Sequence, residues 1–442
     1  MKAEFILAVM VVVPVLQSCE ELDDDPEKYL VEETPVSLPL DDVASMLSEL
    51  PVGKEHLKEV YNAVTSSSWN GYDEEYMMED LFREPGAGVG DDRIGRTAMA
   101  VKSEKMSRCR VPAAAGQEYS SPLRTLIEEH ILSAAASGKV FTKNDGAEVS
   151  ADEYLEALQT SDIQIYWPYS ENWDGEEYPV ITFDPDDGSS SNIGFRLMEN
   201  ADGTVSAEKV IVDEEMAMKH PVWVVNRNDD CEYTSLELLR MQEPEWGDGA
   251  GEIIINPSRT VSGTYCGVYR AEVSGTYSDE DDGHVKTLVL KDFTMFRNFD
   301  PWFAGASEFF VKIGAVEDFT ASTEAELKLY NPAVTDFMIV VKRRQLGQPQ
   351  PFNAVLVSDW SDQLTHCALM ISEDDGGTRT SWKCSAVVKI KSRSYGFEID
   401  LPVNTRDDIV WRGQLSRKYI FANDGMPGHF GDVDLTFEFV EY

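Results

Sequence analysis

The chain has 442 residues, of which 42% are hydrophobic, and 80 Asp and Glu against 38 Lys and Arg give it a net charge of −42. This hydrophobic content supports folded cores, so the composition excludes a wholly disordered protein, and the length predicts about two domains. Because so much negative charge repels phosphate groups, we exclude nucleic acid as a partner and consider anionic lipid headgroups poor partners. Divalent cations and neutral glycans remain compatible with the charge.

The first residues indicate export. An apolar run at 5–15 follows the single basic residue Lys2 and is typical of a secretion signal. The sequence Leu16-Gln17-Ser18-Cys19 resembles the lipobox of bacterial lipoproteins, and the acidic stretch 20–25 resembles the surface-export signal of Bacteroidota lipoproteins. The resemblance implies cleavage before Cys19, acylation of Cys19, and a protein held by lipid on the outer membrane, facing the exterior. The alternative is a buried N-terminal strand or helix with a chance cysteine.

Composition shifts divide the chain into five segments. We predict a lipoprotein signal peptide at 1–18, an acidic tether at 19–39, an α+β domain at 40–240, a glycine-rich linker at 241–252 and an all-β domain at 253–442. The predicted fold class is therefore an α+β N-terminal domain followed by a β-sandwich, either C2-like or immunoglobulin-like.

Apolar residues at helical spacing predict the helices of the first domain at 41–50, 56–64 and 72–82. Pro122 opens a further helix that ends at Gly138, and Ser150 with Glu153 forms a capping box before a short one. Alternating β-type runs then predict strands at 163–167, 180–183 and 222–225, with a hairpin that joins 195–198 to 210–212.

Beyond the linker, nine β-type runs are separated by turn residues at intervals typical of a sandwich. They lie at 253–255, 285–290, 309–313, 337–341, 354–357, 368–371, 386–390, 397–401 and 435–440. Residues 299–311 resemble the first-loop region of C2-type sandwiches. A C2-like domain would gather carboxylates on facing loops, where hard cations find oxygen ligands. We therefore predict a calcium site formed by Asp300, Glu308, Asp374 and Asp375; the alternative is a set of solvated turns.

Residues 166–174 follow a predicted strand and combine aromatic rings with hydrogen-bonding groups. Such loops suit recognition of sugars or peptides, so we predict a glycan or protein ligand here. The candidate contacts are Tyr166, Trp167, Tyr169, Glu171, Trp173 and Asp174. The alternative is a buried aromatic corner.

Known catalytic patterns give little guidance. The sequence contains no HExxH and no GxSxG, and the many acidic residues offer too many carboxylate pairs to single out one. Outside the cytoplasm a disulfide could join Cys367 to Cys384.

The sequence thus favours a non-enzymatic binding or structural module for an extracellular macromolecule. The alternative is a surface hydrolase that acts on glycans or peptides.

Overall fold

The computed structural model describes residues 37–66, 74–82, 122–185, 187–228, 259–268 and 286–441. The predicted signal peptide with Cys19, nearly all of the tether, the linker at 241–252 and the strand predicted at 253–255 lie outside the described residues. The predicted domain boundaries therefore stay predictions. From Val36 onward, the chain forms one compact unit to which both predicted domains contribute.

The described residues of the first half include six helices, and local sequence signals explain some of their ends. Gly138 has a φ of 86° just beyond the fourth helix, a conformation that glycine adopts without strain. The capping box of Ser150 and Glu153 is confirmed at the start of the fifth. The helices are α1 Leu40–Ser48, α2 Lys54–Ser66, α3 Met78–Leu81, α4 Pro122–Ala136, α5 Ala151–Gln159 and α6 Glu214–Ala217.

The helix predicted at 72–82 is only partly correct. Residues Glu75–Met77 form strand β1, which pairs antiparallel with a strand at Ile163–Tyr166, and the helical turn α3 begins after it. Apolar residues at helical spacing suggested one continuous helix, but the hydrogen bonds offered by a neighbouring strand decide the conformation of such a short segment.

A six-stranded sheet supports these helices. Its strands are β1, β4 Ile163–Tyr166, β5 Val180–Phe183, β6 Ser191–Glu199, β7 Val205–Asp213 and β8 Val222–Arg227; β2 Phe141–Thr142 and β3 Glu148–Val149 form a separate small hairpin. The order is β1-β4-β8-β5-β6-β7, and β5 runs parallel to β8 while the other neighbours are antiparallel. The predicted hairpin is confirmed as β6 and β7.

The second half is almost entirely β. Its strands are β9 Arg259–Val261, β10 Thr264–Val268, β11 Lys286–Met295, β12 Ser307–Ala315, β13 Ala333–Val341, β14 Gln350–Val357, β15 Leu364–Glu373, β16 Arg379–Ile390, β17 Arg393–Asn404, β18 Asp408–Ser416, β19 Pro427–Phe430 and β20 Val433–Glu441. A short helix, α7 Arg417–Ala422, lies between β18 and β19, and 3₁₀ turns occupy Glu324–Leu329 and Arg343–Gln345.

These strands form a curled antiparallel arrangement of two sheets. The larger has the order β10-β17-β16-β15-β12-β13-β9, with β18 also paired to β15, and the smaller has the order β14-β11-β20-β19. Side chains of both sheets share one core, for example Phe309 and Phe397 from the larger and Leu288 and Leu435 from the smaller. Burial of these apolar side chains is the main favourable contribution to the stability of this half.

A second core lies between the helices and the six-stranded sheet, where Leu47, Leu57 and Trp223 are fully buried. No helix among the described residues is long and apolar enough to cross a membrane.

Candidate functional site

Two paired strands bring two glutamates to one end of the larger sheet. In the pairing of β12 with β15, Phe309 lies opposite Glu373. Glu308 directly precedes Phe309 and is therefore a close neighbour of Glu373. The amide of Asp374 donates to the main-chain oxygen of Glu308 at 2.9 Å, which holds the strand ends together beyond the last ladder pair. The positions of Glu308 and Glu373 are therefore fixed by main-chain hydrogen bonds.

The third carboxylate comes from the loop 296–306 between β11 and β12. The guanidinium of Arg343 donates from Nη2 to the main-chain oxygen of Asp300 at 2.5 Å. The hydroxyl of Ser307 accepts a hydrogen bond from the amide of Phe299 at 3.1 Å. These contacts hold Asp300 at the same end of the sheet as the two glutamates.

Asp300, Glu308 and Glu373 form an acidic cluster in which one carboxylate oxygen from each residue lies within 4.8 Å of the others. Glu373 is 1% exposed and Glu308 is 8% exposed, so the cluster is largely withdrawn from water. Asp300 Oδ2 and Glu373 Oε1 are buried, and apart from a proton that these two carboxyls share they have no hydrogen-bond donor among the residues that the structure describes. Buried oxygens without a donor are costly, and in native proteins they often mark a bound water, a proton or an ion.

Burial controls the protonation of this cluster. Burial, together with a hydrogen bond to the neighbouring Asp300 carboxyl and repulsion from its charge, raises the pKa of Glu373 to about 12. Burial also raises the pKa of Asp300, although the positive charge of Arg343 opposes that rise. The two carboxyls therefore cannot both ionise cheaply unless a positive charge joins them.

The structure brings together two of the four residues that we predicted for a calcium site. Asp300 and Glu308 belong to the acidic cluster. Asp374 instead uses Oδ1 to accept hydrogen bonds from the amide of Gly376 at 3.1 Å and from Asn404 Nδ2 at 3.2 Å. The side chain of Asp375 is exposed to solvent. The neighbouring protein still removes part of its hydration, and together with nearby carboxylates this raises the pKa of Asp375 to about 6.

Sequence reasoning missed Glu373 because it ended the β run at Ile371. Strand β15 continues through Ser372, which is fully buried, to Glu373. It pairs with β12 as far as Glu373, and this long-range pairing cannot be read from the local sequence. With three carboxylates, the cluster offers the all-oxygen ligands that Ca²⁺ or Mg²⁺ accepts.

The aromatic segment 166–174 is divided between core and surface. Tyr166 and Trp167 are buried, whereas Trp173 is half-buried and its ring lies 5.1 Å from the half-buried ring of Tyr61 on α2. Trp167 packs edge-on beneath both, at 5.9 Å from Tyr61 and 5.4 Å from Trp173. We call the pair Tyr61 and Trp173 the aromatic platform.

The polar residues of this segment hold it in place. Asp174 accepts hydrogen bonds from the amides of Glu176 and Glu177 at 2.8 and 2.9 Å, and Tyr169 donates its hydroxyl to Glu214 Oε1 at 3.0 Å. Glu171 forms an ion pair of 3.1 Å with Arg344. Of the six predicted ligand contacts, Tyr166 and Trp167 are therefore buried within the fold, while Tyr169, Glu171, Trp173 and Asp174 reach the surface to different extents.

Cys367 and Cys384 are free thiols in this structure. They lie on β15 and β16, which pair as expected, but that pairing ends at His366. From His366 onward, β15 pairs with β18. The thiol of Cys367 donates to the main-chain oxygen of Leu415 at 3.8 Å. The thiol of Cys384 donates to the main-chain oxygen of Ile399 at 3.5 Å. The two thiols thus contact different neighbours, and the structure does not contain the predicted bridge.

Comparisons of the chain with protein-family models, with curated proteins and with solved structures found no match.

Proposed function

We propose that this protein is a lipid-anchored protein of the outer cell surface whose folded part is a non-enzymatic binding module for an extracellular macromolecule. The sequence around Cys19 supports the anchor, because a lipobox followed by acidic residues is typical of exported surface lipoproteins. We further propose that the second half is a C2-like or immunoglobulin-like sandwich, since two antiparallel sheets share one core.

The observation that carries the binding function is the aromatic platform. Tyr61 and Trp173 each remain partly exposed while Trp167 supports their rings from the core. Aromatic faces at a surface bind flat, partly apolar ligands, and sugar rings are such ligands. A neutral glycan fits best, because the net charge of −42 repels an anionic polymer.

Affinity electrophoresis of the purified protein in gels that contain soluble neutral polysaccharides tests this proposal. We expect at least one polysaccharide to retard the protein, and Trp173→Ala to weaken that interaction about tenfold or more. Trp382→Ala is a matched control, because Trp382 is also half-buried but lies on β16. Retardation that is unchanged in Trp173→Ala, or absent for every polysaccharide, would reject the platform as a glycan site.

The same gels distinguish the alternative of a surface hydrolase. A binding module leaves the polysaccharide intact during long incubation, whereas a hydrolase releases new reducing ends. Release of such ends by the wild-type protein, and not by a carboxylate variant such as Asp174→Asn, would replace the binding function with a hydrolytic one.

A further inference from the structure

The loop 296–306 that supplies Asp300 also carries an apolar anchor into the first half of the protein. Trp302 is 3% exposed and Phe303 is fully buried, and both pack in a cluster with Tyr166 of β4 and Val224 of β8. The indole Nε1 of Trp302 donates to the main-chain oxygen of Ser190 at 3.0 Å. One loop thus joins the acidic cluster to the six-stranded sheet.

The other two members of the acidic cluster belong to the larger sheet of the second half. Glu308 and Glu373 lie on β12 and β15, whose ladder extends from Phe309 to Gly314 on one strand and from Ala368 to Glu373 on the other. These strands are held by main-chain hydrogen bonds, whereas the anchor loop, residues 296–306, has no strand partner in the part of the chain that the structure describes. An ion that bound all three carboxylates would therefore fasten the anchor loop to the sheet.

The guanidinium group that acts on Asp300 directs its own hydrogen bonds away from the carboxylates of Asp300 and Glu373. Arg343, whose side chain is 4% exposed, is the positive charge that acts on Asp300, but its Nη1 already donates to Glu214 Oε1 at 2.8 Å. Its Nη2 donates to the main-chain oxygen of Asp300, not to the carboxylate. When both carboxyls are ionised, two buried oxygens, Asp300 Oδ2 and Glu373 Oε1, are left without a hydrogen-bond donor among the described residues.

We propose that the carboxylates of Asp300, Glu308 and Glu373 bind one divalent cation, and that this cation clamps the anchor loop onto the larger sheet. The ligand atoms are all oxygen, which selects a hard ion, and Ca²⁺ tolerates the irregular geometry of a loop-and-strand site better than Mg²⁺ does. The cation would supply the positive charge that the buried oxygens lack. This site uses other residues than the aromatic platform and does not depend on the proposed glycan binding.

Calorimetric titration of CaCl₂ into the metal-free full-length protein tests the site. We expect one saturable site per chain, and affinity lowered about tenfold or more in both Glu373→Gln and Glu308→Gln. Glu59→Gln is the matched control, because Glu59 is a buried carboxyl that bonds to Tyr76 and to the amide of Leu123 instead. The melting temperature of the wild type should rise by about 3 °C at calcium a hundred times its dissociation constant.

Hydrogen exchange tests the clamp. Calcium should slow amide exchange in peptides that cover 296–306 in the wild-type protein and in Glu59→Gln, but not in Glu373→Gln. If one variant fails to fold, Asp300→Asn provides the same comparison. Heat that is identical in wild type and in all three cluster variants would mean adventitious binding to the acidic surface and would overturn the site. Site-specific binding without protection of 296–306 would overturn the clamp.

Discussion

The side-chain amide of Asn226 holds the main chain of Phe303 from the opposite half of the protein, with Nδ2 at 3.0 Å from the carbonyl oxygen of Phe303. The same nitrogen lies 2.6 Å from the carbonyl oxygen of Ala304. Asn226 is 1% exposed and lies on β8; its contact with Phe303 is buried and its contact with Ala304 is partly buried. One polar residue thus satisfies two carbonyls that the anchor loop buries, which lets the loop enter an otherwise apolar contact.

Replacing Asn226 by Ala should lower the free energy of unfolding by about 2–4 kcal/mol, because the buried carbonyl of Phe303 and the partly buried carbonyl of Ala304 lose their donor. Chemical denaturation of the full-length protein measures this loss. Asn192→Ala is a suitable comparison, since Asn192 Nδ2 donates to the carbonyl of Phe183 at 2.9 Å from a half-buried position. That change should cost about 1 kcal/mol or less. Equal losses in both variants would show that Asn226 has no special role at the junction.

Glu373 makes stability depend on pH in a definite direction. Its ordinary pKa of 4.5 rises to about 12 in the folded protein, so the folded state keeps a proton that the unfolded chain releases. Between these values the unfolded state binds fewer protons, and stability therefore falls as pH rises, by at most about 1.4 kcal/mol per pH unit for one proton. The charged groups that face it are the carboxylates of Asp300, Asp375 and Asp408, with Arg343 acting on Asp300.

In metal-free buffer, Glu373→Gln should remove this contribution. The variant should gain stability relative to the wild type as the pH is raised from 5 to 9, since glutamine stays neutral. Denaturation curves collected across that range in the presence of a chelator provide the measurement. A difference between the two proteins that does not change with pH would show that Glu373 is ionised in the folded state.

Replacing Cys19 by Ala should release the protein from membranes. Long acyl chains contribute roughly 0.8 kcal/mol per buried methylene, and the acidic chain offers little else that attracts it to anionic lipid. Fractionation of cells that make the wild-type and Cys19→Ala proteins measures the effect, with Cys384→Ala as a control for loss of a thiol. Retention of Cys19→Ala in the membrane fraction, with its first 18 residues removed, would contradict lipid anchoring through this residue.

Sequence patterns predicted those elements whose conformation is decided locally. The apolar spacing of α1 and α2, the proline that opens α4 and the capping box of α5 act within a few residues, and the structure contains each of these helices. Strand β1 was missed because its three residues adopt an extended conformation through pairing with β4. Strand β18 was missed because Asp408 and Arg412 interrupt its apolar pattern, and its pairing with β15 is a long-range contact.

The acidic cluster illustrates the same limit at the level of a site. The sequence indicated that acidic residues near 300, 308 and 374 could meet, because loops at one end of a sandwich are neighbours. It did not show which carboxylate of the run at 373–375 points into the fold. Glu373 is 1% exposed and Asp374 7%, but the Asp374 carboxylate bonds to Gly376 and Asn404 while Asp375 is exposed, and these positions depend on how far β15 follows β12.

The positive charge of Arg343 acts on Asp300 and should weaken the binding of a cation to the acidic cluster. Replacing Arg343 tests this effect. Its side chain lies between Glu214 of α6 and the main chain of Asp300, and its Nε has no hydrogen-bond partner among the described residues. Arg343→Met keeps most of the buried side-chain volume but removes the charge. In metal-free buffer this should destabilise the protein by about 2–4 kcal/mol, because Glu214 and the carbonyl of Asp300 lose a charged donor.

Calcium affinity should change in the opposite direction. Without the like charge near Asp300, the affinity of Arg343→Met for Ca²⁺ should increase roughly threefold or more, despite its lower stability. Titration calorimetry and denaturation of the same preparations measure the two effects. Arg417→Met serves as the control, because Arg417 pairs with Asp362 and should alter stability without altering calcium affinity. A loss of calcium affinity in Arg343→Met alone would mean that Arg343 positions Asp300 for the ion, and that its charge is of minor importance.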